Sequence, residues 1–404
     1  MYQTTTPSTR QGLLMFFALL AGYTAFAANW VAGSSLGGHI TEHYFAGQEV
    51  PSVVKQVVNY SITIARIFAN FLAAFVLLRL GIKRAASLAV VLLLFALVAI
   101  WMPNYYLYVL SRMIMAVGAS MVMVYMNPVV SRFVARDQKV VFSTLITLSY
   151  NVGAFAVALA FAFWLDAMHH NWQLTMTAFS SIFVLVALFW FAVAADFDTG
   201  ASADSVPENY GYRQALADSF NWTFALGFAG FLFLYVMALT TYPAVLPKHL
   251  PLLHTGWITL AVAGGGIAGA FLGTVAGRQS RPRRPMCALF GSLMIGFMLL
   301  GFLLARFWAP ASYVCLFLSG FFMFSQYSIF LNMPHELPNM NPQKVTLIFG
   351  VIWALAYSFY TLFNILWSFV LDHLGWNASM VFYFGLSSLY LLALVRLPET
   401  YRLQ

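Results

Sequence analysis

Long apolar stretches that are almost free of charge recur along the whole of this 404-residue sequence. Hydrophobic residues make up 62% of the chain and charged residues only 8%, whereas a soluble domain needs about 25% charged residues to cover its surface. Because the backbone polar groups of a segment in lipid must be satisfied within the protein, such stretches cross a bilayer as helices. The composition therefore predicts an all-α integral membrane protein.

Apolar runs of ~20 residues, separated by charges and by Pro, Gly and Asn, predict twelve membrane spans. The first six are expected near residues 12–36, 55–78, 85–102, 105–130, 141–165 and 172–195. The second six are expected near residues 219–246, 256–277, 286–305, 310–334, 346–371 and 377–396. The predicted domains are a six-helix bundle at 1–195, a cytoplasmic linker at 196–218 and a second six-helix bundle at 219–404.

The positions of Lys and Arg predict the orientation of the spans. With the N-terminus inside, fifteen of the 20 basic residues lie on the cytoplasmic side, and only Lys55, Lys248 and Arg306 lie outside. Topology therefore explains the net charge of +8, and binding to nucleic acid is not expected. We expect a multi-pass protein of the cell inner membrane with both termini cytoplasmic. A monomer with no cofactor and no metal is expected, whose partners are the lipid bilayer and a small-molecule solute.

A basic turn follows the second predicted span, and a similar one follows the eighth. Residues 78–84 read LRLGIKR, and residues 277–284 read GRQSRPRR. Internal symmetry between two halves of a membrane chain is typical of transporters. In the fourth span, Arg112 is followed by small residues at positions 116, 118 and 120.

These features resemble the major facilitator superfamily over essentially the whole chain. The basic turns are similar to that superfamily's loop motif, although Leu78 and Gly277 stand where its aspartate would be. The resemblance implies twelve helices in two pseudo-symmetric bundles that rock about a central site. Coupling or gating is expected of Arg79, Arg112 and Arg278. Residues 335–338 and 340–342 are faintly similar to the cyanate-porter branch.

Acidic residues are missing from the interior of every predicted span. All 12 Asp and Glu residues lie at span ends or in loops, so a buried acid that couples transport to protons is not expected. Glu336, at the cytoplasmic end of the tenth span, is the one candidate for that role.

Two arginines, Arg66 and Arg112, lie within predicted spans. At a rise of ~1.5 Å per residue, Arg66 lies ~20 Å from the cytoplasmic turn at Arg79, close to the middle of the bilayer. An arginine at this depth usually faces a cavity or a partner, and its fork of donors matches carboxylate, phosphate or nitrate-like groups. Nitrate/nitrite porters of the superfamily also carry an arginine in the second span, but Gly265 stands at the place of their second one. Arg66 therefore binds either the solute or neighbouring helices.

An aromatic and polar stripe follows one helical face of the eleventh span, at positions i, i+4, i+7, i+8 and i+11. Its members are Trp353, Tyr357, Tyr360, Thr361 and Asn364. Such a face lines a solute cavity or packs against another helix. Further candidates for solute contact are Asn29, Asn127, Tyr150, Tyr235, Gln326 and Tyr327.

Three functions fit this pattern to different degrees. The first is a secondary active or facilitated transporter of a small anion, with Arg66 as its contact. The second is a transporter of a neutral or zwitterionic solute, such as a sugar or nucleoside, in which the arginines are structural. The third is a membrane sensor or structural partner, which no feature of the sequence favours. An enzyme is not expected, because the chain lacks a nucleophile–base or metal-ligating constellation.

Overall fold

A computed structural model describes residues 7–135, 138–197, 211–277, 282–338, 340 and 342–400, and these are helical almost throughout. The helices of the N-terminal group are α1 (Thr9–Ser35), α2 (Gly37–Tyr44), α3 (Ser52–Lys55), α4 (Val57–Leu93), α5 (Phe95–Ile100), α6 (Tyr105–Phe133), α7 (Lys139–Phe163), α8 (Leu165–His170) and α9 (Trp172–Val193). Those of the C-terminal group are α10 (Tyr212–Ala217), α11 (Ser219–Thr240), α12 (Tyr242–His249), α13 (Thr255–Gly277), α14 (Arg283–Leu304), α15 (Ala309–Asn332), a 3₁₀ turn (Met333–Glu336), α16 (Pro342–Ser387) and α17 (Leu389–Arg396).

Ten helical stretches among the described residues are long and apolar enough to cross a membrane. Large apolar side chains are exposed on them, as at Leu174, Leu185 and Val381, where 66–75% of the residue surface is accessible. Water would disfavour so much exposed apolar surface, whereas lipid accommodates it. The prediction of a helical, multi-span membrane protein is confirmed, and the total of twelve spans stays a prediction.

Two glycines break the longest helices. Gly81 in α4 has φ 73°, and Gly375 in α16 has φ 80°, so each lies in the left-handed region that favours glycine. Both breaks fall where the sequence predicts one span to end and the next to begin. A Cβ on Gly81 would also lie 3.3 Å from a carboxylate oxygen of Asp196. Glycine therefore lets the chain turn between successive helices without an intervening loop.

Several helices begin at a residue whose side chain caps the first turn. Asn104 accepts a hydrogen bond from the Leu107 amide at 2.9 Å, and Asn171 accepts one from the Leu174 amide at 3.0 Å. Ser8 caps α1 in the same way. Because the first amides of a helix have no partner within it, each cap stabilises the start of its helix by about 1 kcal/mol.

Small residues bring α13 and α15 into close backbone contact. A Cβ placed on Gly265 or Gly269 of α13 would collide with backbone carbonyl oxygens of α15, and one on Gly320 of α15 would collide with the Val262 carbonyl of α13. The sequence predicts this close packing from the glycines of the eighth span. In lipid, where apolar burial drives association weakly, close packing of this kind holds helices together.

The two helix groups contact each other along two pairs of helices, α4 with α16 and α7 with α13. Between α4 and α16, the Tyr60 hydroxyl lies 2.6 Å from Ser368 Oγ, and the Thr63 and Thr361 hydroxyls are 2.7 Å apart. We call the end of the molecule that holds α2, α3 and α12 the outer end, after the predicted topology. The inner end holds the 3₁₀ turn Met333–Glu336.

Replacing Gly269 by alanine is expected to destabilise the protein by about 1–3 kcal/mol, because the added methyl group must displace the Phe321 backbone. Thermal unfolding of the purified protein in detergent would measure the change. Gly296→Ala in α14 is the matched control, since a Cβ there meets nothing within 4 Å. Equal melting temperatures for the two variants would contradict close packing between α13 and α15.

Candidate functional site

Arg66 is buried at the contact between the two helix groups, with 3% of its surface exposed. Its guanidinium donates a hydrogen bond of 3.0 Å to the Tyr23 hydroxyl of α1, and the Met123 sulfur of α6 lies 3.9 Å away. No carboxylate in the described ranges forms an ion pair with it. A neutral hydroxyl and a thioether leave the charge of this arginine largely uncompensated.

Four aromatic rings surround the Arg66 guanidinium. Its Cζ atom lies 5.8, 5.6 and 6.0 Å from the ring centroids of Tyr23, Phe26 and Trp30 on α1. On the other side, the ring of Tyr357 on α16 lies 5.0 Å away. The negative faces of aromatic rings attract a cation without neutralising it. These rings therefore hold the guanidinium in place and leave its affinity for an anion intact.

Unpaired hydrogen-bond donors lie on α4 and α7, two helices of the N-terminal group that contact the C-terminal group. Arg66 Nε, the Tyr150 hydroxyl and Asn151 Nδ2 are buried and have no hydrogen-bond partner among the described residues. The Tyr150 ring lies 5.8 Å from the rings of both Trp30 and Tyr235, and the Tyr235 hydroxyl donates to Asn151 Oδ1 at 3.0 Å. The centre of the molecule thus offers several donors, and an anion supplies the acceptors that such donors require.

The stripe predicted on the eleventh span divides between two surfaces. Tyr357 and Thr361 face α4, where they contact Arg66 and Thr63. The Trp353 ring extends this surface, 5.5 Å from the Tyr357 ring. One part of the stripe is therefore brought to the central arginine.

The other part of the stripe is buried inside the C-terminal group. Tyr360 and Asn364 are fully buried, and the Asn364 amide donates to the Tyr360 hydroxyl at 3.3 Å. The Tyr360 ring packs against Phe233 of α11 at 6.3 Å. These two residues contribute to packing between α16 and α11. The five positions of the predicted stripe cover a wider part of the helix surface than the contact with α4 does, so its two remaining members face α11.

Tyr235 and Tyr327 lie in an aromatic cluster that continues from Tyr150. The rings of Tyr235 and Tyr327 lie 5.0 and 5.3 Å from the Phe324 ring. Tyr327 also stacks on Phe231 at 5.3 Å. The structure therefore connects both predicted residues with the centre, on the C-terminal side.

Asn29 and Arg112 form a separate buried pair inside the N-terminal group. Arg112 is fully buried, and its guanidinium contacts both the side-chain and the backbone oxygen of Asn29, the latter at 3.2 Å. The Asn29 amide in turn donates to Ser180 Oγ at 2.7 Å. The sequence placed Asn29 in the solute site, and the structure instead assigns it to Arg112. Arg112 therefore has two amide oxygens as acceptors, whereas Arg66 has one hydroxyl.

Two further predicted residues are not brought to the centre. Gln326 is fully buried toward α14 and α17, where it contacts the Tyr390 hydroxyl and donates to the Met294 sulfur at 3.4 Å. Asn127 is exposed on α6. The sequence places both on membrane spans, but it does not show which way a helix that is apolar on all sides is rotated.

Glu336 is part of a buried ion pair at the inner end. Arg283 Nη2 lies 2.8 Å from Glu336 Oε1, and Thr400 Oγ1 donates to Glu336 Oε2 at 2.6 Å. Glu399 accepts the backbone N–H groups of Arg283 and Arg284 at 2.8 and 3.0 Å. The sequence analysis singled out Glu336 but missed Arg283 as its partner, since 53 residues separate the two.

Of the two remaining residues predicted for coupling or gating, Arg79 lies just before the break at Gly81 in α4. Arg79 is exposed, and its guanidinium lies 4.4 Å from the Phe75 ring centroid. Arg278 lies outside the described residues. The functional roles expected of Arg79, Arg112, Arg278 and Glu336 stay predictions.

Comparison with known proteins identifies one family. The family model described as "Major Facilitator Superfamily" matches residues 12–361. Two uncharacterized proteins of Mesomycoplasma hyopneumoniae, from strains J and 232, are each 23% identical over 409 residues, which covers 89% of this chain and 82% of theirs. A crystal structure of a D-xylose-proton symporter superposes with a TM-score of 0.69 at 15% identity, covering 95% of this chain and 98% of that one. At that identity the likeness shows the fold alone.

Replacing Glu336 by glutamine is expected to destabilise the protein by about 3 kcal/mol, because the buried Arg283 guanidinium loses the charge that compensates it. Denaturant titration of the protein in detergent would measure this loss. The double variant Arg283→Gln/Glu336→Gln is expected to lose less than the sum of the two single variants. Glu49→Gln, at an exposed acid, is the control. Additive losses would show that the two side chains are not coupled.

Proposed function

The chain belongs to the major facilitator superfamily and is a membrane transporter, and from that premise we propose that its solute is a small anion. The solute crosses the membrane by alternating access, in which two helix bundles rock about a central site. Arg66 is the anion contact, and the aromatic residues around it hold the rest of the solute. The observation that carries this proposal is a buried arginine between the two helix groups with no carboxylate partner among the described residues.

The topology we propose has twelve spans in bundles at 1–195 and 219–404, joined by a cytoplasmic linker at 196–218. Two features of the structure support it. The stretch Leu347–Arg396 has 50 residues, more than twice what one span needs, and Gly375 divides it. The part of α4 before Gly81 supplies a further helix of span length. We propose a monomer in the cell inner membrane with both termini in the cytoplasm.

The two buried arginines differ in a way that supports a solute contact for Arg66 and a structural role for Arg112. Arg112 contacts two oxygens of Asn29 within one helix group. Arg66 has one hydroxyl and one sulfur as partners, and it lies where the groups meet. A site between the two bundles changes its exposure when they rock, as alternating access requires. The donors of Arg66, Tyr150 and Asn151 together match the acceptors of a carboxylate or another oxyanion.

The positions of the acids favour uniport or exchange, or movement of the proton together with the anion. Glu336 is ion-paired with Arg283 at the inner end. A carboxylate that takes up and releases protons beside the solute is not found in the described part of the centre. An anion can itself carry a proton, so coupling to protons does not require such a residue.

A neutral or zwitterionic solute is the alternative that the experiment must separate. In that case Arg66 stabilises the contact between the helix groups, and the Tyr and Trp side chains bind the solute. The variants of Arg66 would then affect all solutes alike, through stability. Uptake of a neutral solute would also not change with the ionisation of the solute. An anion, in contrast, is carried only in the ionised form that the guanidinium binds.

Replacing Arg66 by glutamine is expected to lower kcat/KM for the transported anion roughly 100-fold, because the donor pair and the charge are lost together. Arg66→Lys keeps the charge but not the fork, and roughly a tenfold loss is expected. Uptake by proteoliposomes from a panel of carboxylates, phosphates and nitrate-like anions would measure both, with sugars and nucleosides as the neutral arm. Arg306→Gln, at an exposed arginine, is the matched control.

Normal uptake of every anion by Arg66→Ala would contradict the anion contact. Uptake of a sugar or nucleoside by the unmodified protein, with no anion taken up, would establish the alternative. Melting temperatures of all variants separate a loss of binding from a loss of fold.

A further inference from the structure

A cavity lies at the outer end, between the two helix groups. Its volume is about 440 Å³, enough for a small organic solute. Ser34, Gln56 and Asn59 line it from the N-terminal group, and Val245 and Lys248 line it from the C-terminal group. Because both groups contribute walls, the cavity changes shape whenever the groups move relative to each other.

Buried amides form the floor of this outer cavity. Asn59, with 4% of its surface exposed, accepts hydrogen bonds from Trp30 Nε1 at 2.8 Å and from Ser34 Oγ at 3.1 Å. Its own amide donates to Gln56 Oε1 at 2.7 Å. The same Gln56 oxygen accepts from Thr241 of the C-terminal group at 3.2 Å. One network therefore connects the floor of the cavity with both helix groups.

The indole of Trp30 connects this floor with the central site. Its nitrogen is bound to Asn59, which lines the cavity, while its ring lies 6.0 Å from the Arg66 guanidinium. Trp30 itself is only 1% exposed. The ring also contacts Tyr150 at 5.8 Å, so it reaches the donors of the central site. The Trp30 ring therefore connects the floor of the outer cavity with the Arg66 guanidinium.

We propose that the outer cavity is a loading site for the transported anion and that Trp30 is the gate between it and Arg66. The assignment of a negative charge to the solute in this inference rests on the proposed function, whereas the position of the gate does not. The hydrogen bond from Trp30 to Asn59 holds the gate closed. Since Gln56 ties Asn59 to Thr241, separation of the two groups at the outer end removes support from the gate, and the indole is then free to turn away.

Charged residues at the cavity suit a small carboxylate that binds weakly. Lys55 and Lys248 line it, one from each helix group, and both are exposed. Lysines on the outside of an inner-membrane protein are uncommon, and these are two of the three basic residues that the sequence predicts there. Glu42 and Glu49 also line the cavity, and neither forms an ion pair with a lysine in the described ranges. The lysines attract an anion, and the glutamates keep its affinity low enough for it to move on.

The gate is tested by the access of an external reagent to position 66. A thiol is introduced by Arg66→Cys in a Cys287→Ser/Cys315→Ser background, and a membrane-impermeant cationic methanethiosulfonate is added outside. Asn59→Leu is expected to raise the reaction rate about tenfold, since it removes the hydrogen bond that holds the indole. Trp30→Ala is expected to raise it further. Phe16→Ala is the matched control, because Phe16 is a fully buried ring of α1 that packs against Phe142 and does not line the cavity.

Equal rates with and without Trp30→Ala and Asn59→Leu would overturn the gate, and so would an equal rise in Phe16→Ala. The two gate variants are independent, so misfolding of Trp30→Ala leaves Asn59→Leu as the test. No transport is measured in this experiment, so it stands or fails separately from the anion proposal.

The preference of the loading site for a negatively charged solute is tested with an anionic methanethiosulfonate of similar size. The ratio of anionic to cationic reaction rates is expected to fall roughly threefold in Lys55→Gln/Lys248→Gln and to rise in Glu42→Gln/Glu49→Gln. Added salt is expected to reduce both changes, since it screens exposed charges. An unchanged ratio in the lysine variant would overturn the assignment of the cavity to an anion, while the result for Trp30 would still decide the gate.

Discussion

A guanidinium that is withdrawn from water inside a bilayer requires compensation, and the arrangement around Arg66 follows from that requirement. The free-energy cost of an isolated buried charge is large, and no carboxylate meets Arg66 in the described ranges. A hydroxyl from Tyr23 and the faces of four rings lower the cost without cancelling the charge. Because the rings come from both helix groups, the arginine also determines where the groups meet. The part of the charge that remains uncompensated supports the proposed contact with an anion.

Three buried arginines have three different kinds of partner. These differences support a solute contact for one of them and a structural role for the other two. Arg283 has the carboxylate of Glu336, which makes the inner end of the C-terminal group rigid. Arg112 has the two oxygens of Asn29, which fix α6 to α1. Among these three, Arg66 alone combines burial with neutral partners and a position between the groups. Nε of Arg66 and Nε of Arg112 both lack a hydrogen-bond partner among the described residues, so the position of Arg66 between the groups is what supports the proposed solute contact.

Polar contacts between the groups run from Arg66 toward the outer end. Thr63 pairs with Thr361, Tyr60 with Ser368, and the Asp372 carboxylate accepts the backbone N–H of the residue after Pro51 at 3.1 Å. Each contact joins α4 or the segment before it to α16. The network under the outer cavity lies at the same end. Short hydrogen bonds therefore join the two helix groups at separate points between the central site and the outer end.

Length, hydropathy and the positions of charge are properties that can be read along the chain, and they sufficed to predict a helical, multi-span membrane protein. The depth of Arg66 in the bilayer stays a prediction. The rotation of each helix about its axis was decided only by tertiary structure. A helix that is apolar on all sides has no polar face to show which side meets lipid, cavity or another helix. For that reason the sequence grouped Tyr357 with Gln326 and Asn29, whereas in the structure Tyr357 lies against Arg66 and the other two face helix contacts. Partners distant in sequence, such as Arg283 for Glu336, likewise became visible only once the helices were packed.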